Sequence, residues 1–284
     1  MLRRIVYKLE QLDRRWVYLV IMAAVVIPFL TGLTLPVGTP SPAAVAVYDA
    51  IDTLPERSII LLSFDYSPAS MPELEPMAKA IVRHCFQRNH RILAMTLHPQ
   101  GALMIRRAVD PIMEELGKEY GVDFVDGGYK PGGAAVILGM GRDIGEVYAG
   151  QDARNNALSS LPMMRTVANY DDIALMIDFA ANNLPFAWVG YAGERYGLKM
   201  GAGVTAVMAT DLYPYWKSEQ LVGVINGMKG AAEYEHMIDA PGWGILGMSS
   251  QSMAHLLIIL FIILGNIGYF VTRGRPDDSG GDEA

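Results

Sequence analysis

The sequence contains one cysteine, Cys85, in 284 residues. That scarcity excludes an intramolecular disulfide framework and any metal site built from several cysteines. Cys85 falls on the apolar face of a predicted helix, so it reads as a small core residue rather than a nucleophile. Positive charge is also short: 23 Lys and Arg stand against 30 Asp and Glu, a formal net charge of -7. A general nucleic-acid binder needs basic patches to neutralise phosphate, so no nucleic-acid partner is expected. Signature loops are missing too. There is no GxSxG elbow, no GxxxxGK[ST] and no GxGxxG after the first predicted strand. His84 and His90 lie close in sequence without a third ligand in view, so no metal is expected, and no motif calls for a cofactor.

Long apolar runs, by contrast, are present twice. Residues 16–35 carry no charge and follow Arg3, Arg4, Lys8, Arg14 and Arg15. At about 1.5 Å per residue such a run crosses a hydrocarbon core of about 30 Å. A cleaved signal peptide is the alternative, but the run is long for one and an uncleaved anchor is expected. The second run covers 243–271 and is followed by Arg273 and Arg275. Gly265, Asn266 and Gly268 within it are candidates for close packing against a neighbouring helix. The two terminal basic clusters place both termini in the cytoplasm and the segment between the runs outside it. The expected organisation is a basic N-terminus with transmembrane helix one (1–35), a linker (36–56), a central domain (57–240), transmembrane helix two (243–272) and a cytoplasmic acidic tail (273–284). The tail composition suits disorder.

Between the runs, short apolar stretches alternate with amphipathic ones. Strands are expected at 59–64, 91–97, 122–125, 173–179 and 198–204. Helices are expected from Ser70, over 102–120, over 185–196 and through most of the region after Thr205. A short helix is expected near 43–51, and 134–140 reads as either a helix or an apolar strand. Ser70 with Glu73 forms a capping-box pattern. Residues 141–169 lack periodicity and read as a long excursion, an oligomer contact or a lid. The alternation predicts an α/β domain: a three-layer, mostly parallel sheet of Rossmann or flavodoxin type between two transmembrane helices.

In open parallel sheets ligands bind outside the carboxyl ends of the strands. The candidates there are Asp65, Tyr66 and Ser67 after the first strand and His98 and Gln100 after the second. Asp126, Tyr129 and Lys130 follow the third, Asp178 and Asn182 the fourth, and Thr205 the last. Each also has an ordinary reading as a turn or cap residue. Ser67, His98 and Asp178 could be assembled into a Ser-His-Asp set, but no spacing favours that choice. Gly223, Gly227 and Gly230 put small residues along one predicted helix. Glycine costs about 1 kcal/mol in a helix interior, which implies close approach of another backbone, within the domain or between subunits.

SFDYSP at Ser63, GYKPGG at Gly128, AGVTAV at Ala202, the following YPY and GMKGAAEYE together resemble a group of uncharacterised prokaryotic membrane proteins with two spans and an α/β domain between them. The resemblance covers most of 57–238 and implies the architecture, with no activity attached. Three functions follow from these readings as expectations. The first is a structural subunit of a homo- or hetero-oligomeric membrane assembly, with the bilayer and other subunits as partners. The second is a small-ligand recognition module at the strand-end edge, and the third is a hydrolase-like enzyme there.

Overall fold

The structure is a computed structural model that describes residues 13–272. Arg3, Arg4 and Lys8, the pair Arg273 and Arg275, and the acidic tail lie outside the described residues. The chain divides into two compact units. One holds the residues up to Leu35 together with those from Leu246 onward, and the other is Pro36–Ile245.

In the first unit, helix α1 (Arg14–Thr31) starts where the Asp13 carboxylate accepts the Arg15 N–H at 3.0 Å. It runs through Pro28 and ends at Gly32 in the left-handed conformation. Helix α9 (Trp243–Thr272) is the last element, and its first residues, up to Ile245, belong to the other unit. Both are long and apolar enough to cross a membrane. Gly265 faces open space, and the Asn266 amide donates to Ile262 O of its own helix at 2.8 Å.

The Pro36–Ile245 unit is built on six parallel strands: β1 (Ile59–Asp65), β2 (Arg91–Thr96), β3 (Phe124–Tyr129), β4 (Leu175–Ala180), β5 (Met200–Val204) and β6 (Val224–Asn226). Their spatial order is β3-β2-β1-β4-β5-β6, so the direction of winding reverses between β1 and β4. β1 is buried along its whole length, which explains its unbroken apolar run. Period-two alternation sends Ile60, Leu62 and Phe64 to one face and Ile59 and Leu61 to the other. The first face is covered by α2 (Pro42–Asp52), α3 (Met71–Gln87), α4 (Gly101–Glu115) and α8 (Gly227–Met237). The opposite face carries α5 (Ala134–Met140), α6 (Leu184–Trp188) and α7 (Ala206–Lys217). Parallel strands joined by right-handed crossovers require this change of face when the winding direction reverses.

Several expectations are corrected here. Gly223 does not lie in a helix: it precedes β6, and Ser218 starts a turn rather than a helix. β6 forms because β5 offers it a free edge, pairing Ala202 with Val224 and Val204 with Asn226. β3 extends through Asp126 to Tyr129, so these belong to the strand and not to the following loop. Its glycine pair is tolerated because the Tyr148 ring fills the space of a side chain at Gly127, while Gly128 has a positive φ of 72°. The expected helix over 185–196 is present as one continuous helical run, but its middle, Val189–Gly193, is π-helical between α6 and a last short α turn. α7 runs through Pro214 without interruption. Ser70 makes no capping bond, and Glu73 reaches instead to the Ala206 N–H at 2.9 Å. The excursion 141–169 packs on the sheet through Ile144, Tyr148, Leu158, Met163 and Val167. Its Tyr148 ring lies against Gly127 of β3.

Polar side chains pin the helices on the first face. The His84 ring stacks on Tyr48 with centroids 4.6 Å apart. Its Nδ1 lies 2.8 Å from Tyr234 Oη and its Nε2 3.2 Å from Asp52. His90 Nε2 lies 3.0 Å from Ile51 O. The two histidines therefore hold α2, α3 and α8 together, and Cys85 is wholly buried beside them. On α8, the Glu233 carboxylate accepts from Ser41 N–H (3.1 Å) and Oγ (2.8 Å), just before α2. Glu235 accepts from the N–H groups of Gly242 (2.9 Å), Gly244 (2.8 Å) and Ile245 (2.8 Å) at the start of α9.

The glycines are spent on contacts inside the domain. A Cβ at Gly223 would meet Ala43 O and Val47 of α2, and one at Gly230 would meet Ile225 at 2.9 Å. Gly223→Ala is therefore expected to destabilise the domain by about 1–3 kcal/mol in chemical unfolding. Gly38→Ala, in open space, is expected to change it by under about 0.5 kcal/mol.

Candidate functional site

Because all six strands are parallel, their carboxyl ends and the starts of the helices that follow share one edge. The strand order lays the candidates along it in a row: Tyr129 and Lys130, then His98 and Gln100, then Ser67, then Asn182, then Thr205. Two clusters are built beneath this row.

The first lies at the switch point between β1 and β4. Asp65 ends β1 with no exposed surface, and its Oδ1 accepts the Leu97 N–H at 2.5 Å. Its Oδ2 accepts from Ser63 Oγ at 2.6 Å and from the Trp188 indole N–H at 3.3 Å. Asp178 is not beyond its strand as expected: it sits inside β4, wholly buried, paired in register with Ser63. Burial first, and the neighbouring Asp65 second, push the Asp178 carboxyl well above the usual carboxylate range. Above the pair, the Asn182 amide donates to Asp65 O at 2.7 Å, and its Oδ1 accepts the Leu184 N–H at 2.9 Å. Asn182 thereby ties the loop after β4 to the end of β1 and opens α6.

The second cluster closes the β3 end. Asp126 Oδ1 accepts the Gly128 N–H at 2.8 Å, and burial raises its carboxyl to about 6. Lys130 Nζ stands 4.6 Å from the centre of the buried Tyr148 ring. Desolvation lowers this ammonium, against the pull of Asp126 and Asp152. Tyr120 Oη donates to Asp152 at 2.6 Å, and the Arg154 guanidinium lies 3.7 Å over the Tyr120 ring. Asp152 also accepts the backbone N–H groups of Arg154 (2.9 Å) and Asn156 (2.7 Å). The loop so shaped returns the Ala153 N–H to Asp126 O at 2.8 Å, which covers the otherwise free edge of β3.

Not all the candidates reach solvent. Asp65, Tyr66 and Asp178 are buried, and Tyr66 packs in the core among Phe64 and its neighbours. They form the floor of the edge rather than its surface. The Ser67, His98 and Asp178 set does not form: Asp178 faces Asp65, and His98 Nδ1 accepts the Gln100 N–H at 3.2 Å. Thr205 precedes α7, whose first N–H is already taken by Glu73. The side chains at the surface are Ser67, His98, Gln100, Tyr129, Lys130, Asn182 and Thr205. Thr96, Ser63 and Trp188 were not among the candidates. Ser63 was visible as the one polar residue in an apolar strand, but nothing near Trp188 in the sequence marks it.

Among the described residues between 36 and 242, the exposed large apolar side chains are Leu103, Tyr129, Tyr191 and Val207. Leu103 and Val207 lie in the first turns of α4 and α7, and Tyr129 ends β3. Three of the four thus border the same edge. No group of three or more His, Cys, Asp or Glu side chains suited to a metal ion occurs among the described residues.

Asp126 makes a pH-dependent contribution. Its folded carboxyl, near 6, binds protons more tightly than the unfolded one, near 3.8. That stabilisation is complete below about pH 4 and is lost as pH rises through about 6, at most about 3 kcal/mol. Asp126→Asn is expected to flatten the melting temperature against pH over this range, as followed by circular dichroism. Comparison with family models, curated proteins and solved structures finds no match to this chain.

Proposed function

We propose that this chain is a membrane-tethered recognition module, in which a Rossmann-like domain binds a small ligand across the carboxyl edge of its sheet. The observation that carries the reading is the character of that edge. His98, Gln100, Lys130 and Asn182 offer polar groups there, and Leu103, Tyr129 and Val207 leave apolar surface exposed beside them. The strand order, with its reversal between β1 and β4, matches the doubly wound sheets whose ligands sit at such a switch point. Turnover is not part of the proposal: the accessible row has no nucleophile paired with a base. The tethers are the two apolar helices. The basic residues beyond them in sequence support cytoplasmic termini and a central domain on the other side.

A second reading, assembly with further copies or other membrane subunits, draws on the exposure of Val207 (83%) and Leu103 (49%). Gly223, Gly227 and Gly230 lend it nothing, since their close contacts are spent within the domain.

Two measurements test these statements. Native mass spectrometry of the full chain released from mild detergent should show a bound small molecule. That adduct should be lost in a Tyr129→Ala, Lys130→Ala, His98→Ala variant that melts like the unliganded protein. An empty wild type, running as a defined oligomer that Leu103→Asp and Val207→Asp dissociate, would replace recognition with assembly. For placement, Cys85 is buried and is expected not to react with thiol reagents, so a Ser159→Cys chain carries one accessible thiol. An impermeant maleimide should label it in intact cells; labelling only after lysis would reverse the orientation.

A further inference from the structure

The two carboxyl groups at the switch point are equally buried but unequally served. Asp65 receives the Leu97 N–H, the Ser63 hydroxyl and the Trp188 indole N–H. The Thr96 hydroxyl lies 3.1 Å from it as well, with Phe64 O and His98 O competing for its proton. Asp178 is 0% exposed, and neither of its oxygens meets a hydrogen-bond donor among the described residues. Its neighbours in register are Ser63 on β1 and Ala202 on β5, and the Ser63 hydroxyl is directed to Asp65.

A buried carboxylate with three donors is stabilised as the anion. A buried carboxyl with none, placed beside that anion, is stable only as the neutral acid, which brings a donor of its own. Two charges in this dry interior would repel strongly. We propose that Asp178 is held as a carboxylic acid whose O–H donates to the Asp65 carboxylate, so that the pair forms a one-proton site joining β1 to β4. A divalent cation would ordinarily take more oxygen ligands than this pair supplies, and no third acidic or imidazole side chain joins it among the described residues.

Among the described residues, Asp65 is the one titratable side chain that acts on Asp178. Ser63, Ala202 and Trp188, the groups presented by the adjoining strands and by α6, carry no charge. The stabilisation from the bound proton is complete below the unfolded value of about 3.9, and it is lost as pH rises through the much higher folded value. Loss of the proton would set two anions next to the Asn182 bridge to Asp65 O, so this pair weakens the candidate edge as pH rises. The inference stands whether or not that edge binds a ligand.

Infrared spectroscopy of the full chain in detergent at neutral pH tests it. The wild type should show the carbonyl stretch of an un-ionised carboxylic acid, and Asp178→Asn should lose that band. The variant keeps a donor toward Asp65, so it should fold, and as pH rises above the unfolded value of about 3.9 the wild type should lose melting temperature relative to the variant. Absence of the band in the wild type would overturn the proposal, with or without a folded variant. Persistence of the band in the variant would overturn it by assigning the proton to another buried acid, such as Asp126 or Glu235. A rise in wild-type melting temperature with sodium, potassium, magnesium or calcium chloride, absent in Asp178→Asn, would place a cation between two carboxylates and overturn it equally.

Discussion

Parallel pairing is the constraint from which the rest of this domain follows. A strand that runs parallel to its neighbour must be joined to it by a crossover over one face of the sheet, and each crossover has one hand. The reversal of winding between β1 and β4 therefore puts helices on both faces and buries the central strands completely. It also brings every strand's carboxyl end to one edge. Nothing about that edge had to be encoded locally: residues as distant as Lys130 and Thr205 share it because their strands are parallel.

Burying the central strands raises the cost of any polar group they carry. The structure meets that cost in two ways. Around Asp65, the donors come from three different segments, so the carboxylate holds β1, the residue after β2 and α6 in one arrangement. Along α8, two buried carboxylates hold segments that precede and follow the strands and helices of the sheet. Glu233 fixes Ser41 ahead of α2, and Glu235 fixes the first turn of α9. Burial raises the Glu235 carboxyl, while the three N–H groups it accepts pull the other way. The same helix contacts the edge at its other end, where Gly227 leaves room for Glu73 and Ala206.

Most of the strands and helices were legible in the sequence, because a buried parallel strand writes itself as a short apolar run and an amphipathic helix as a period near 3.6. β1 and α3 are clear cases. What failed did so for identifiable reasons. Val224–Asn226 is too short to carry a strand signal and lies between glycines; only the open edge of β5 makes it a strand. Glu73 has the spacing of a capping residue, yet a second helix start, brought near by the fold, takes its carboxylate. At the candidate edge, residue type marked Asp65 and Asp178, but not that both lie below the surface within strands.

The order of residues alone determined an alternating α/β domain between two apolar helices, because hydrophobic periodicity and run length are local properties. It also determined that Ser63 and Asp65 share a face, since strand side chains alternate. Tertiary structure decided which strand lies beside which, and so that Asp178, more than a hundred residues away, meets Asp65. It likewise decided which polar groups are covered and which remain open, because burial is a property of neighbours that the local sequence does not name.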